Sequence, residues 1–306
     1  MRDGHDAEPD AAEPDAAEPD AAEPNVSAAV GSRRRTLGSA SARSLLLTVL
    51  GEFVYPRGHA VWTSTLLRAL GELGVEQKSV RQAVSRAAAE GLLSSERAGR
   101  RVRWSLTGPG ATLLREGAER IYTFMQEEHE WDGRWLLVTV AVPETQRQLR
   151  HRLRTQLTWL GMGSPAPGLW VVPDAAKEEL VADVLRDLGL QPKAFAWIGR
   201  WAPIGDKQEL ISAAWSLDEV QEQYRDFAAS FSMRHAATPT EAFVAQVQLV
   251  QAWRRFPFLD PALPSRLLDH DWPGPAAAKV FHDRHEQWRQ DAQRCWDDWE
   301  AESQQG

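Results

Sequence analysis

Between Glu76 and Gly91 the chain reads EQKSVRQAVSRAAAEG, the pattern of a short helix with two unlike faces. Successive helical residues lie about 100° apart. Val80, Ala83, Val84 and Ala87 therefore share one arc, while Lys78, Arg81, Gln82 and Ser85 share the opposite arc with Arg86 at its edge. The apolar side chains are small, so this helix can approach its neighbours closely. The cationic and amide groups opposite them cannot be buried without partners. Any fold of this chain must press the thin apolar stripe inward and leave the other face in water. The helix runs from about Gln77 to Glu90 and closes at Gly91; Glu76 holds the cap position, where Ser or Thr would cap better.

The flanking segments narrow the choice. SARSLLLTVLGEFV (41–54) has a serine cap and clustered leucines, and TSTLLRALGELG (63–74) runs from a threonine cap to a terminal glycine. LLSSE and RVRWSLT then flank a turn at Ala98-Gly99, the pattern of a two-stranded hairpin. Three helices and a hairpin predict a winged helix-turn-helix over residues 39–108. Taken alone, the third helix reads equally well as an ordinary amphipathic surface helix. The hairpin, with Arg97, Arg100, Arg101 and Arg103, shifts the balance to DNA. Lys78, Ser79, Arg81, Gln82 and Ser85 have the donors and acceptors that base edges ask for in a major groove. Arg86 and the four hairpin arginines suit phosphates.

Charge is segregated in the same way. Residues 1–32 contain one Arg and nine Asp/Glu, residues 33–107 thirteen Lys/Arg and five Glu, and the remainder twenty-one Lys/Arg and twenty-nine Asp/Glu. One basic block inside a chain of net charge −8 is the footprint of a polyanion partner. The AEPDA-like repeat in residues 1–38 lacks any apolar group larger than Ala and Val over most of its length and reads as a disordered acidic tail. It ends in the basic arm Arg33-Arg34-Arg35, suited to a minor groove or to nonspecific phosphate attraction. The lone Cys295 excludes internal disulfides and cysteine zinc sites. No apolar run approaches the ~20 residues of a membrane span, so a cytoplasmic location is expected.

Beyond the basic block, residues 109–130 predict a connecting helix. Strands at 135–142, 168–173 and 193–199 alternate with helices at 143–161 and 175–189, which predicts a small α/β domain over 131–203. Residues 204–306 are helical and Trp-rich, with Trp288, Trp296 and Trp299 at core-like spacing. The fold class is thus a multidomain α+β protein. No Gly-rich phosphate loop, GxSxG or HExxH occurs, and neither a cofactor nor a metal is expected. His282 and His285, beside Asp283 and Glu286, read as a surface cluster rather than a metal site.

The sequence GVEQKSVRQAVSRAAAEGLL…GRRVRWSLTGPG, followed by WDGRW…VPE…PGLWV and FPFLDPALPSRLLDHDWPG, resembles the PaaX-type regulators, repressors of phenylacetate catabolism genes. The resemblance covers most of residues 40–300. It implies a homodimeric repressor on a pseudo-palindromic double-stranded operator and a ferredoxin-like middle domain akin to small CRISPR-associated nucleases. It also implies a small-molecule effector, phenylacetyl-coenzyme A or a related acyl thioester. Ala141 stands where those nucleases carry Asp, and Arg103-Trp104 where family wings often carry Tyr-Tyr. For the effector, cations beside aromatic groups point to Trp197, Arg200 and Trp201, with Arg147 on its helix and Arg254 as further candidates. Solvated or interface charge is the competing reading of those arginines. Two rival functions remain at this point: a nucleic-acid-processing enzyme using the middle domain, and an effector-independent activator or architectural DNA-binding protein.

Overall fold

The computed structural model describes residues 41–126 and 130–305; the acidic repeat and the Arg33–Arg35 arm lie outside them. Helix α1 (Ala42–Val49) starts at Ser41, whose hydroxyl accepts from the Ser44 amide, and continues as a π-helical turn, Leu50–Val54. A two-residue strand β1 (Val61–Trp62) leads into α2 (Thr63–Glu72), and α3 (Gln77–Ala89) follows after a short turn. Strands β2 (Leu93–Ala98) and β3 (Arg101–Leu106) form an antiparallel hairpin, and β1 joins β3 on its far side to make a three-stranded sheet. The turn is Gly99-Arg100, one residue later than the sequence suggests, with Gly99 at φ +65°.

Thr107 caps α4 (Gly108–Thr123), and Pro109 occupies its first turn, where its missing N–H is not needed. Capping and proline together start this helix one residue before the segment read from sequence. The next unit runs β4 (Arg134–Val140), α5 (Arg147–Trp159), β5 (Gly163–Ala166), β6 (Leu169–Val172), α6 (Glu178–Asp187) and β7 (Ala194–Arg200). Its sheet has the order β5-β6-β4-β7, and all neighbours are antiparallel. Strand β4 is covered on both faces, which is why it reads as an unbroken apolar run. Leu136, Val138 and Val140 meet Leu153 and Leu157 of α5 and Val181 and Leu185 of α6. Trp135 faces the other way, toward Trp215, Leu263 and Leu267. Strand β5, GSPA, has no strand pattern of its own in the sequence.

Two glycines fix where that unit turns. Gly161 has φ +80°, and a Cβ there would lie 2.8 Å from the Pro261 carbonyl oxygen. At Gly163 a Cβ would meet the Trp215 ring at 2.5 Å. Only glycine allows this approach of the sheet to the later chain.

Helices α7 (Lys207–Ala214), α8 (Leu217–Phe231), α9 (Pro239–Trp253), α10 (Phe256–Leu259) and the 32-residue α11 (Gly274–Gln305) complete the chain. Trp288, Trp296 and Trp299 are buried, in keeping with their spacing. They do not form a separate core. Leu46, Leu50, Phe53, Leu66 and Val84 from the first helices share one continuous cluster with Phe243, Trp253, Phe281 and Trp296. The beginning and end of the described chain thus fold against each other. Among the described residues no helix is long and apolar enough to cross a membrane.

A buried carboxylate with several partners sits inside that cluster. Glu52, on the π-helical turn, accepts from Tyr122 Oη, from Gln246 Nε2 at 2.8 Å and lies 2.9 Å from His285 Nε2. His285 therefore belongs to a buried network and not to the surface cluster that its neighbours in sequence suggest. The cause is the length of α11: its first half lies over the π-helical turn, and His285 is on the covered side.

Candidate nucleic-acid interface

Helix α3 is oriented as its periodicity requires. Val80, Ala83, Val84 and Ala87 are buried against α1 and α2, while Gln77, Lys78, Arg81, Gln82, Ser85 and Arg86 are exposed and line one shallow, open concavity. Ser79 is half-buried at its edge. The hairpin stands beside this helix because Thr63, at the start of α2, bonds it twice. Trp104 Nε1 donates to Thr63 Oγ1 at 2.9 Å, and that hydroxyl donates to the Val102 carbonyl at 3.0 Å.

The basic side chains then divide into two groups. Lys78, Arg81, Arg86, Arg97 and Arg100 have no ion-pair or hydrogen-bond partner among the described residues. All five are exposed. The other cations of the same unit are committed internally. Arg43 pairs with Glu90, Arg57 with Asp297 and Arg68 with Glu302.

Arg101 and Arg103, grouped on sequence with the DNA-facing arginines, belong to this second set. Arg103 forms a bidentate pair with Glu96 across the hairpin, at 3.0 and 2.9 Å. Arg101 lies over the Trp62 ring and donates to the Ser303 carbonyl at the end of α11. Alternation along a strand sends Arg101 and Arg103 to one face, where Trp62 and α11 meet Arg101 and Glu96 of β2 meets Arg103, and sequence alone does not reveal those partners.

The effector candidates are not brought together. Trp197, Arg200 and Trp201 lie exposed along and after the edge strand β7, and Arg147 is exposed at the start of α5. Arg254 is tied to α1 through the Ser44 carbonyl and Thr48. None of the five lines the concavity on α3 or the cleft beside α4 and residues 257–262.

Comparison with known proteins finds one family along most of the described chain. Residues 41–110 match the family model "PaaX-like protein", residues 128–211 "PaaX protein central Cas2-like domain", and residues 215–298 "PaaX-like protein C-terminal domain". The chain is 30% identical over 252 residues, 78% of each protein, to the transcriptional repressor PaaX of Escherichia coli (strain K12). An uncharacterized protein of Mycobacterium tuberculosis, Rv0674, has a similar fold. Its TM-score is 0.60 at 23% identity, over 84% of this chain and all of that one.

Proposed function

Since the chain belongs to the PaaX family of transcriptional repressors, we propose that it reads operator DNA with α3 and grips the backbone with the β2–β3 hairpin. Family membership makes it a DNA-binding repressor homologue, a regulator rather than an enzyme. In this reading residues 41–106 form a winged helix-turn-helix, and the β4–β7 unit is a ferredoxin-like domain. Strand order β5-β6-β4-β7 with two helices on one face supports the latter.

The observation that carries the reading is the unpartnered state of Lys78, Arg81, Arg86, Arg97 and Arg100, beside arginines that all have internal partners. Exposed cations left unneutralised on one helix and one hairpin tip form the positive surface that a polyphosphate backbone attracts. Lys78, Arg81, Gln82 and Ser85 contact bases, with Ser79 at their margin, and Arg86, Arg97 and Arg100 contact phosphates. Arg101 and Arg103 hold the hairpin in place.

Two copies on a pseudo-palindrome would set their α3 helices about one helical turn apart, roughly 34 Å. An acyl-thioester effector then releases the dimer by favouring a geometry that no longer matches that spacing. In-vitro selection of random duplexes with the full chain should enrich paired half-sites, and a pool that drifts without a motif would overturn the reading. Arg100→Ala should weaken binding to every duplex alike. It should also lower the slope of log affinity against log salt by about 0.9, the loss of one phosphate contact. An unchanged slope would remove Arg100 from the interface.

A further inference from the structure

Helix α4, the end of α5, the 3₁₀ turn at Lys177 and residues 257–262 enclose a cleft of about 640 Å³, half open to solvent. Its volume lies within the range of small-molecule sites, roughly 300–1,000 Å³. One wall is aromatic. Trp159 and Phe258 stand 4.6 Å apart at 36°, and the Arg120 guanidinium lies over both, 4.4 Å and 5.2 Å from their centres. Opposite the open side, Lys177 is half-buried, and its one ion-pair partner, Asp174, is 3.9 Å away, beyond hydrogen-bond reach. Burial pushes the Lys177 ammonium below its ordinary range, with Asp174 only partly opposing it.

The acidic groups nearby do not fill this role. Asp260 is spoken for, accepting from Tyr224 Oη and the Ala262 amide at 2.7 Å each. Glu116 and Glu119 lie on the exposed rim of α4. Among the described residues neither Arg120 nor Lys177 has a carboxylate at hydrogen-bond distance: Asp174 stays 3.9 Å from Lys177, and Glu116 acts on Arg120 only through its charge.

We propose that this cleft is the effector site and takes an organic anion with a planar aromatic group, the ring against Trp159 and Phe258 and the anion toward Lys177 and Arg120. The proposal rests on the effector-released repressor reading above and gives that effector a location different from Trp197–Trp201. The route to DNA is short. Helix α4 forms one wall, and its cap residue Thr107 donates to the Gly91 carbonyl at 2.5 Å while its amide bonds the Leu92 carbonyl at 3.1 Å. Gly91 is the residue that closes α3. A ligand that draws α4 toward the sheet unit therefore pulls on the end of the helix that reads the bases.

The test titrates the full chain, free and bound to its selected duplex, with phenylacetate and with phenylacetyl-coenzyme A by calorimetry and mobility shift. The two arms distinguish a free aryl carboxylate from its thioester. Lys177→Met should weaken binding of the active probe about tenfold, the worth of one charge-assisted contact, and leave DNA affinity without probe unchanged. Thr158→Trp, at an exposed position lining the cleft, should block it by bulk and does not depend on removing a half-buried group. If the wild type binds a probe and both variants bind it equally well, the cleft is wrong while the effector reading stands. A response to Trp197→Ala alone would move the site to β7. If neither probe binds a chain that does bind DNA, the effector reading falls and the cleft proposal with it.

Discussion

Replacing Glu52 with alanine is expected to destabilise the protein by about 3–5 kcal/mol, seen as a large fall in its urea midpoint. The carboxylate is 8% exposed and holds three donors from three other helices: Tyr122 of α4, Gln246 of α9 and His285 of α11. Removing it leaves those groups buried without their acceptor, and the desolvation of each is then uncompensated. Glu52→Gln keeps the volume and one acceptor, so its effect should be less than half as large. An alanine variant within 1 kcal/mol of the wild type would mean that the network contributes little.

The same group predicts a response to acid. Burial alone would raise the Glu52 carboxyl, but the hydrogen bond and charge of His285, then the Tyr122 and Gln246 hydrogen bonds, outweigh it and hold it below the usual 4.5. A carboxyl depressed in the folded state stabilises fully above its unfolded value and loses that contribution as pH falls through its folded value. The wild-type midpoint should therefore drop below about pH 4.5, and the drop should be shallower in Glu52→Gln. Equal acid sensitivity in the two proteins would exclude Glu52 as its source.

The second large effect is expected at Arg81. On the selected operator, Arg81→Ala should cost about 1–3 kcal/mol and relax the preference at one base pair per half-site, leaving other positions as they were. The side chain is exposed at the centre of the polar face of α3 and has no ion-pair or hydrogen-bond partner among the described residues, so its removal should not disturb folding. Arg103→Ala is the informative contrast. That guanidinium is engaged by both Glu96 oxygens, and its loss should leave base preference intact. If Arg103→Ala changes specificity and Arg81→Ala does not, the roles of helix and hairpin are reversed.

What could be read in advance followed local pattern. Helices α2 and α3, the hairpin and the strand β4 each announce themselves within about fifteen residues, through caps, a 3.6-residue stripe or a continuous apolar run. The polar face of α3 was legible for the same reason, since helical geometry alone separates Arg81 from Val84. What was not legible depends on distant partners. Nothing near Glu52 marks it as buried, because the residues that receive it lie 70, 194 and 233 positions away. Arg101 looks like any other hairpin cation until Ser303 arrives beside it. The cleft takes Arg120, Trp159, Lys177 and Phe258 from four separate segments, so no spacing rule could have assembled it. Trp197 and Trp201 flank Arg200 in sequence, and in the structure all three lie exposed along and after β7.

The single apolar cluster joining α1–α3 to α9 and α11 has a consequence for synthesis. While a ribosome is still making the second half, Leu46, Phe53 and Leu66 have only the first helices to cover them and lack Phe243, Trp253 and Trp296. Helices α1–α3 complete their packing only after Trp296 has left the exit tunnel. A truncated message would therefore yield a chain whose first helices leave part of their apolar surface uncovered, an opening for proteases.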